Sequence, residues 1–181
     1  MKKKNNIIFT GGSGKFGRVF RRIHQNKEIL YPASNQLDIR NYKSIKIYLS
    51  KFKPKYFVHT AALSRPMDIH NKNLVSSIET NIIGTCNVVR ACSERNIKLI
   101  YFSSNYVYPA KKGYYDEKSA VLPFNNYAWS KLGGEAAVQM YKNSLILRIC
   151  MTEKPFLHKK AYTNLETNFI FHEDLAKVFF K

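Results

Sequence analysis

Residues 6–17 read NIIFTGGSGKFG, and this stretch decides the fold. The apolar run up to Thr10 predicts a short buried strand, and the glycines that follow stand where a strand turns into a helix. In such a turn Gly11 permits the tight bend, Gly14 lets the backbone approach a pyrophosphate, and Gly17 lets the helix pack on the strand. The N-terminus of that helix offers free N–H groups to phosphate. The stretch therefore favours a dinucleotide site over an ordinary glycine-rich turn.

Apolar strands alternate with amphipathic helices along the rest of the chain. The sequence predicts strands at 28–33, 55–62, 98–105 and 144–149, helices at 42–52, 75–95 and 127–141, and a last helix that opens within 169–176. This alternation predicts an α/β fold of three layers, with a Rossmann-like, doubly wound parallel sheet. A length of 181 residues suits one domain over residues 1–181.

The composition excludes several classes of protein. The formal charge of +18 is typical of proteins that bind nucleic acids. However, the Lys and Arg residues are scattered, and no nucleic-acid-binding motif accompanies them. We therefore expect anionic small ligands and no specific nucleic acid. No apolar run is long enough for a membrane span, and the apolar segment after the basic start is too short for a signal peptide. Three cysteines without metal-ligand spacing agree with a cytoplasmic protein that holds no metal.

Small and polar residues follow the predicted strands, at the edge where parallel sheets bind ligands. Ala61 and Ala62 would let a flat ring lie against the backbone, and Ser104 would point into the same crevice as the glycine loop. His59 lies within an apolar strand, and we interpret it as a hydrogen-bonded core residue. These strand ends predict where the crevice lies.

The region after the second strand bears on the choice of cofactor. Ser34 and Asn35 stand where an acidic residue often binds the adenosine ribose of NAD, so the sequence favours NADP, with NAD as the alternative. Asp38 could accept a hydrogen bond from an adenine amine. Equally, Asp38 or Asn41 could cap the following helix.

Tyr127 and Lys131 are four residues apart in a predicted helix, which places both side chains on one face. A lysine cation next to a tyrosine stabilises the phenolate and lowers its pKa toward the range of acid–base catalysis. An exposed chance pair is the alternative. Asn81, polar in an apolar helix, either satisfies backbone groups or orders a water next to Lys131.

These features occur in the order that is typical of one family. The glycine loop, Asp38, 60–62, Asn81, 103–104, Tyr127, Lys131 and a late Phe-Ile-x-His-x-Asp-Leu-Ala segment resemble the extended short-chain dehydrogenase/reductases, the class of nucleotide-sugar epimerases, dehydratases and reductases. Residues 102–109 and 127–135 are most similar to dTDP-4-dehydrorhamnose reductases, with the GDP-fucose synthases a close second.

The resemblance implies roles for individual residues. Tyr127 would exchange a proton with the substrate, Lys131 would tune that tyrosine and hold the nicotinamide ribose, and Ser104 would hydrogen-bond the reacting oxygen. The residues that it implies for the cofactor are Gly11, Gly14, Lys15, Phe16, Gly17, Ser34, Asp38, Ile39, Ala61, Ala62, Asn81, Ser103, Tyr127 and Lys131.

Two departures from the family pattern affect the function that the resemblance implies. Asn105 stands where the reductases usually carry Asp, and residues 151–171 are only a remnant of the substrate-binding region. The first hypothesis is an NADP-dependent reductase of a keto group on a nucleotide-linked sugar. The alternatives are a catalytically idle, cofactor-binding regulatory subunit, or a nucleotide-sugar epimerase or dehydratase. We also expect a homodimer, because apolar residues on the outer faces of helices 75–95 and 127–141 need cover.

Overall fold

Five parallel strands form the central sheet. The computed structural model describes residues 6–25, 28–111, 113–156 and 167–180. The strands are β1 (Ile7–Thr10), β2 (Ile29–Leu30), β3 (Tyr56–His59), β4 (Lys98–Ser104) and β5 (Ser144–Ile149). Their order in the sheet is β2-β1-β3-β4-β5, and every neighbouring pair is parallel. The predicted parallel α/β sheet is therefore confirmed.

Helices cover both faces of this sheet. They are α1 (Lys15–Ile23), α2 (Tyr42–Phe52), α3 (Ile69–Lys72), α4 (Leu74–Ser77), α5 (Gly84–Ser93), α6 (Asn126–Gln139) and α7 (His172–Val178). A π-helical segment, Ile78–Ile83, joins α4 to α5, and a 3-10 turn, Asn105–Val107, follows β4. A short parallel pair, β6 (Met151–Thr152) and β7 (Ile170–Phe171), stands apart from the main sheet. Within the described ranges no helix has the length and apolar character to cross a bilayer.

Two apolar clusters, one on each face of the sheet, make the three layers. Successive strand residues point to opposite faces. Ile8 and Phe57 pack with residues of α2 and α5, whereas Phe9 and Val58 pack with residues of α1 and α7. The chain runs from β1 through α1 to β2 on one side, and then crosses to β3 on the other side of β1. The strand order thus reverses between β1 and β3, and ligands of such sheets bind at that point.

Several predicted boundaries differ from the observed ones. The strand predicted at 28–33 has only two residues, because Pro32 cannot donate to the ladder. The strand predicted at 55–62 ends at His59, where Thr60 turns to bond the Thr10 carbonyl through its hydroxyl. The helix predicted at 75–95 begins as α4 and contains the π-helical segment before α5. Residues 1–5 and 157–166 lie outside the described residues, and the single domain over 1–181 stays a prediction.

Candidate functional site

Two glycines of the loop after β1 occupy positions where a side chain would not fit. Gly11 has a φ of +80°, and a Cβ there would lie 2.5 Å from Oγ1 of Thr60. A Cβ on Gly17 would clash with the Gly11 carbonyl oxygen. Gly14 is different, because a Cβ there would meet only that same oxygen, at 3.1 Å. Gly11 and Gly17 are thus required for the conformation and packing of the loop, whereas Gly14 leaves open surface for a ligand.

The start of α1 suits a phosphate group. Among the residues that the structure describes, no side chain caps this helix, and its first turn contains no acidic residue. The N–H groups of that turn and the positive end of the helix dipole therefore favour an anion. Lys15 lies in the first turn, and Arg65 lies beyond the end of β3. The loop thus fits the pyrophosphate of a dinucleotide.

Glu153 links the two sides of the crevice. Its carboxylate binds the Lys15 ammonium and lies 3.5 Å from Nη1 of Arg65. Burial raises the pKa of Glu153, but Lys15 and Arg65 outweigh that effect, and the pKa lies below its ordinary value. Lys15 follows β1 and Arg65 follows β3, so this carboxylate spans the point where the strand order reverses. Sequence reasoning missed Glu153; its only signal was an acid within a lysine-rich stretch.

In the region predicted to face the adenosine, the negative charge of Asp38 is paired with an arginine. Ser34 lies in an exposed turn. The Asp38 carboxylate accepts hydrogen bonds from the Arg40 guanidinium at 2.9 and 3.0 Å, and this contact holds the pKa of Asp38 below its ordinary value. Asp38 does not cap α2, because Asn41 accepts the bond from the Ser44 N–H. The Ile39 side chain is buried in the core, so only its backbone could contact adenine.

Three other positions predicted to contact a cofactor differ in their exposure. Ala61 and Ala62 are partly exposed just beyond β3, at the mouth of the crevice. The Phe16 ring is buried, and its centroid lies 5.4 Å from that of Phe102. Phe16 therefore packs α1 on the sheet, and only its backbone is left to face a pyrophosphate.

Ser104 and Tyr127 meet at the carboxyl end of β4. Asn125 caps α6 through its side chain, which fixes the first turn, where Tyr127 lies. Burial raises the pKa of the Tyr127 phenol, and the neighbouring Ser104 hydroxyl offsets this only in part. The Ser104 hydroxyl also accepts a hydrogen bond from the Tyr106 N–H at 3.2 Å. Asn105, next along the chain, has a buried side-chain oxygen without a partner in the described ranges.

Lys131 is buried one turn further along α6. Its Nζ lies 4.3 Å from the centroid of the Tyr101 ring, and the residue is 3% exposed. Burial lowers the pKa of Lys131 to about 7, although the charge of Glu135 opposes the shift. The sequence led us to expect a Tyr127 pKa below its ordinary value. That expectation is wrong, because the effect of burial exceeds the opposing effects.

Three further polar residues make hydrogen bonds inside the protein. Asn81 bonds both backbone groups of Leu63, each at 2.8 Å, so it satisfies backbone groups, as the plainer alternative predicted. Ser103 donates to the Glu135 carboxylate at 2.5 Å and does not face the crevice with Ser104. His59 lies between two threonine hydroxyls, and burial lowers its pKa to about 3. The prediction that His59 is a core histidine is confirmed.

The site thus defines a class of protein. A doubly wound parallel sheet carries a glycine turn after β1, and Ser104 and Tyr127 adjoin beyond β4, in the order along the chain that the family shows. This combination is that of the extended short-chain dehydrogenase/reductases. Residues 5–155 match the family model described as the RmlD substrate binding domain, and the chain belongs to that family. The resemblance inferred from the sequence is confirmed.

Individual relatives cover most of this chain. Methionine adenosyltransferase 2 subunit beta from Xenopus laevis is 28% identical over 152 residues, which are 78% of this chain and 45% of the relative. The dTDP-4-dehydrorhamnose reductase of Aggregatibacter actinomycetemcomitans is 26% identical over 151 residues, or 81% and 51% of the two chains. A crystal structure of dTDP-4-dehydrorhamnose reductase from Bacillus anthracis, in complex with NADP, superposes with a TM-score of 0.75 at 27% identity. It covers 82% of this chain and 54% of that one. The chain spans about half the length of the curated relatives it matches.

Proposed function

We propose that this chain binds a nicotinamide dinucleotide, with NADP preferred, and reduces a keto group of a nucleotide-linked sugar. One observation carries the proposal: Ser104 and Tyr127 adjoin at the carboxyl edge of the sheet, with Lys131 one turn further along the helix. The glycine loop opens at the same edge. The reductases among the relatives support the choice of substrate class, and the absence of an acid at 34–35 supports NADP.

The states of the side chains suit reduction of a ketone. A bound dinucleotide supplies the hydride. The carbonyl oxygen then needs a proton, and the Tyr127 phenol, whose raised pKa keeps it protonated at neutral pH, is placed to give it. Ser104 would donate a hydrogen bond to the same oxygen. Lys131, with its pKa of about 7, would change charge within the working range.

A regulatory, cofactor-binding subunit is the second candidate. It is favoured by the likeness to methionine adenosyltransferase 2 subunit beta, which is 28% identical over 152 residues. In that role the glycine loop would bind the dinucleotide, and Tyr127 would only pack in the crevice. The two candidates share the cofactor site and differ in whether substrate turns over.

Calorimetry with NADPH would test the cofactor site, with the wild type compared with the variant Gly14→Val. The wild type should bind, whereas Gly14→Val should not, because the added side chain fills the surface at which backbone meets pyrophosphate. Gly14 has a φ of −68°, which valine tolerates, so the variant should melt near the wild-type temperature. Failure of the wild type to bind would overturn both candidates.

The two candidates are separated by oxidation of NADPH in the presence of 4-keto sugars linked to dTDP, GDP or UDP. Steady oxidation with one of them supports the reductase. Binding of NADPH without oxidation in the whole panel would leave the regulatory subunit as the function.

We further propose a homodimer through α6, α4 and the π-helical segment Ile78–Ile83. A groove of about 440 Å³ runs between these helices, and its apolar lining includes Leu74, Ile78 and Trp129, all exposed. A second copy would cover these residues with its own. Light scattering should give twice the chain mass, and Trp129→Glu should reduce it to the monomer. A monomeric wild type at micromolar concentration would contradict the dimer.

A further inference from the structure

Glu135 is a buried carboxylate one turn beyond Lys131 on α6, and it is 1% exposed. Its Oε1 accepts two hydrogen bonds from Arg148, at 3.0 Å from Nε and 2.7 Å from Nη2. Its Oε2 accepts the bond from the Ser103 hydroxyl. Buried carboxylates need such partners, and here the partners come from two strands. Glu135 therefore ties α6 to the sheet.

The contact of Glu135 with the sheet lies next to the proposed site. Ser103 directly precedes Ser104 on β4, and its register partner on β5 is Arg148. Ser104 belongs to the sheet, whereas Tyr127 and Lys131 belong to α6. The distance between the two halves of the site depends on how α6 is held against β4. Glu135 makes the charged contact that joins them next to Ser104.

The same network reaches the loop after Ser104. Arg148 donates through Nη1 to the Tyr108 hydroxyl at 2.9 Å, and its guanidinium lies 4.9 Å from the centre of that ring. The Tyr108 ring stacks on Tyr115, with 5.0 Å between centroids and 4° between planes. Tyr108 also donates to the Asp116 carbonyl. Helix, strands and loop thus meet at the ion pair between the partly buried Arg148 and the buried Glu135.

We propose that Glu135 is a positioning residue, which sets Tyr127 and Lys131 against Ser104 and supplies the negative charge that stabilises the Lys131 ammonium. The proposal rests on the proposed function for its catalytic part. Its electrostatic part stands apart from turnover, because the charge state of Lys131 can be measured in the protein without substrate. The competing explanation is a buried ion pair that only stabilises the fold.

The first test follows the titration of Lys131 by NMR, with its side-chain signal assigned by its loss in Lys131→Met. In Glu135→Gln the midpoint should fall by roughly one pH unit, because the amide keeps the shape but not the charge. The matched control is Glu117→Gln, an exposed position with the same chemical change, which should leave the midpoint in place. An unchanged midpoint in a folded Glu135→Gln overturns the proposal.

A second variant guards against failure to fold, since Arg148 loses its partner in Glu135→Gln. Glu135→Asp retains the charge but withdraws it by one methylene, so the Lys131 midpoint should fall by less than in Glu135→Gln. An unchanged midpoint in a folded Glu135→Asp, where Glu135→Gln does not fold, also overturns the proposal.

The catalytic part is tested with Ser103→Ala, which removes only the hydroxyl that joins Glu135 to the strand of Ser104. Turnover should fall several-fold with NADPH affinity and the Lys131 titration unchanged. Wild-type turnover in Ser103→Ala overturns the positioning role. A wild type that shows no turnover at all is a failure of the proposed reductase, and the NMR result still decides the electrostatic part.

Discussion

The ammonium of Lys131 lies over the ring of Tyr101, with 4.3 Å between Nζ and the ring centroid. A cation gains from the negative face of an aromatic ring, but burial away from water costs more. The pKa of Lys131 falls to about 7 as a result. A lysine at the surface is charged throughout the physiological range, whereas this one changes charge within it.

Stability should therefore depend on pH through Lys131. Its folded-state pKa of about 7 lies below the ordinary 10.5, so between these values the unfolded chain binds more protons than the folded one. The free energy of unfolding should rise with pH over that interval. Lys131→Met should remove this part of the rise. Urea denaturation across that pH interval measures the free energy of unfolding of both proteins, with Lys118→Met, at an exposed position, as control. Parallel pH dependences of that free energy in the wild type and in Lys131→Met would contradict the prediction.

Tyr127→Phe should lower turnover roughly 10²–10⁴-fold and leave NADPH affinity nearly intact, because the ring still packs and only the transferable proton is lost. Burial raises the pKa of Tyr127, so ionisation of the phenol should not limit activity at neutral pH. The control is Tyr56→Phe, which changes an exposed tyrosine at the start of β3. Steady-state kinetics with a nucleotide-linked sugar that the wild type reduces would measure the loss of turnover. Turnover in Tyr127→Phe equal to that of the wild type would refute the mechanism.

Glu153→Gln should tighten NADPH binding by roughly fivefold, because Lys15 and Arg65 no longer share their charge with a carboxylate. The gain should shrink as salt is added, since the contacts are partly exposed. Calorimetry at low and high salt measures both effects. Asp174→Asn makes the same charge change at a residue that pairs with Lys154, and should have little effect. Weaker binding in Glu153→Gln would show that the carboxylate assists the cofactor.

Ser34→Asp should reverse the preference for NADPH over NADH. A carboxylate in this exposed turn would repel the 2′-phosphate of NADP and accept hydrogen bonds from the ribose of NAD. Affinities for both cofactors, measured by calorimetry, give the ratio directly. Ser50→Asp adds the same charge on α2 and serves as control. An unchanged ratio in Ser34→Asp would place the ribose elsewhere.

The fold was predictable because its signals are local. The apolar run before Gly11 and the alternation of strands with helices predict the parallel sheet without knowledge of any contact. The π-helical segment within 75–95 was not predictable, because its apolar residues also fit an α-helix. Short strands such as β2 are equally hard to bound from pattern alone.

The site was predictable only in part. Ser103 and Ser104 are adjacent on a strand, so their side chains point to opposite faces, and only one of them could reach the crevice. That rule alone would have separated them. The pairing of Glu135 with Arg148 and of Lys131 with Tyr101 joins different elements. Such pairs depend on register and helix placement, which one sequence does not reveal.

The hydrogen bond between Thr10 and His59 spans 49 residues of sequence, and it has a consequence for the order of folding. β1 has its main partner in β3, since β2 pairs with it at only two positions. Parallel pairing over such a separation is slow to form. During synthesis, the apolar β1 can pair at only two positions, with β2, until β3 has been made, and strand edges exposed in this way are prone to aggregate. The proposed dinucleotide site is likewise incomplete until then, because its predicted residues follow both β1 and β3.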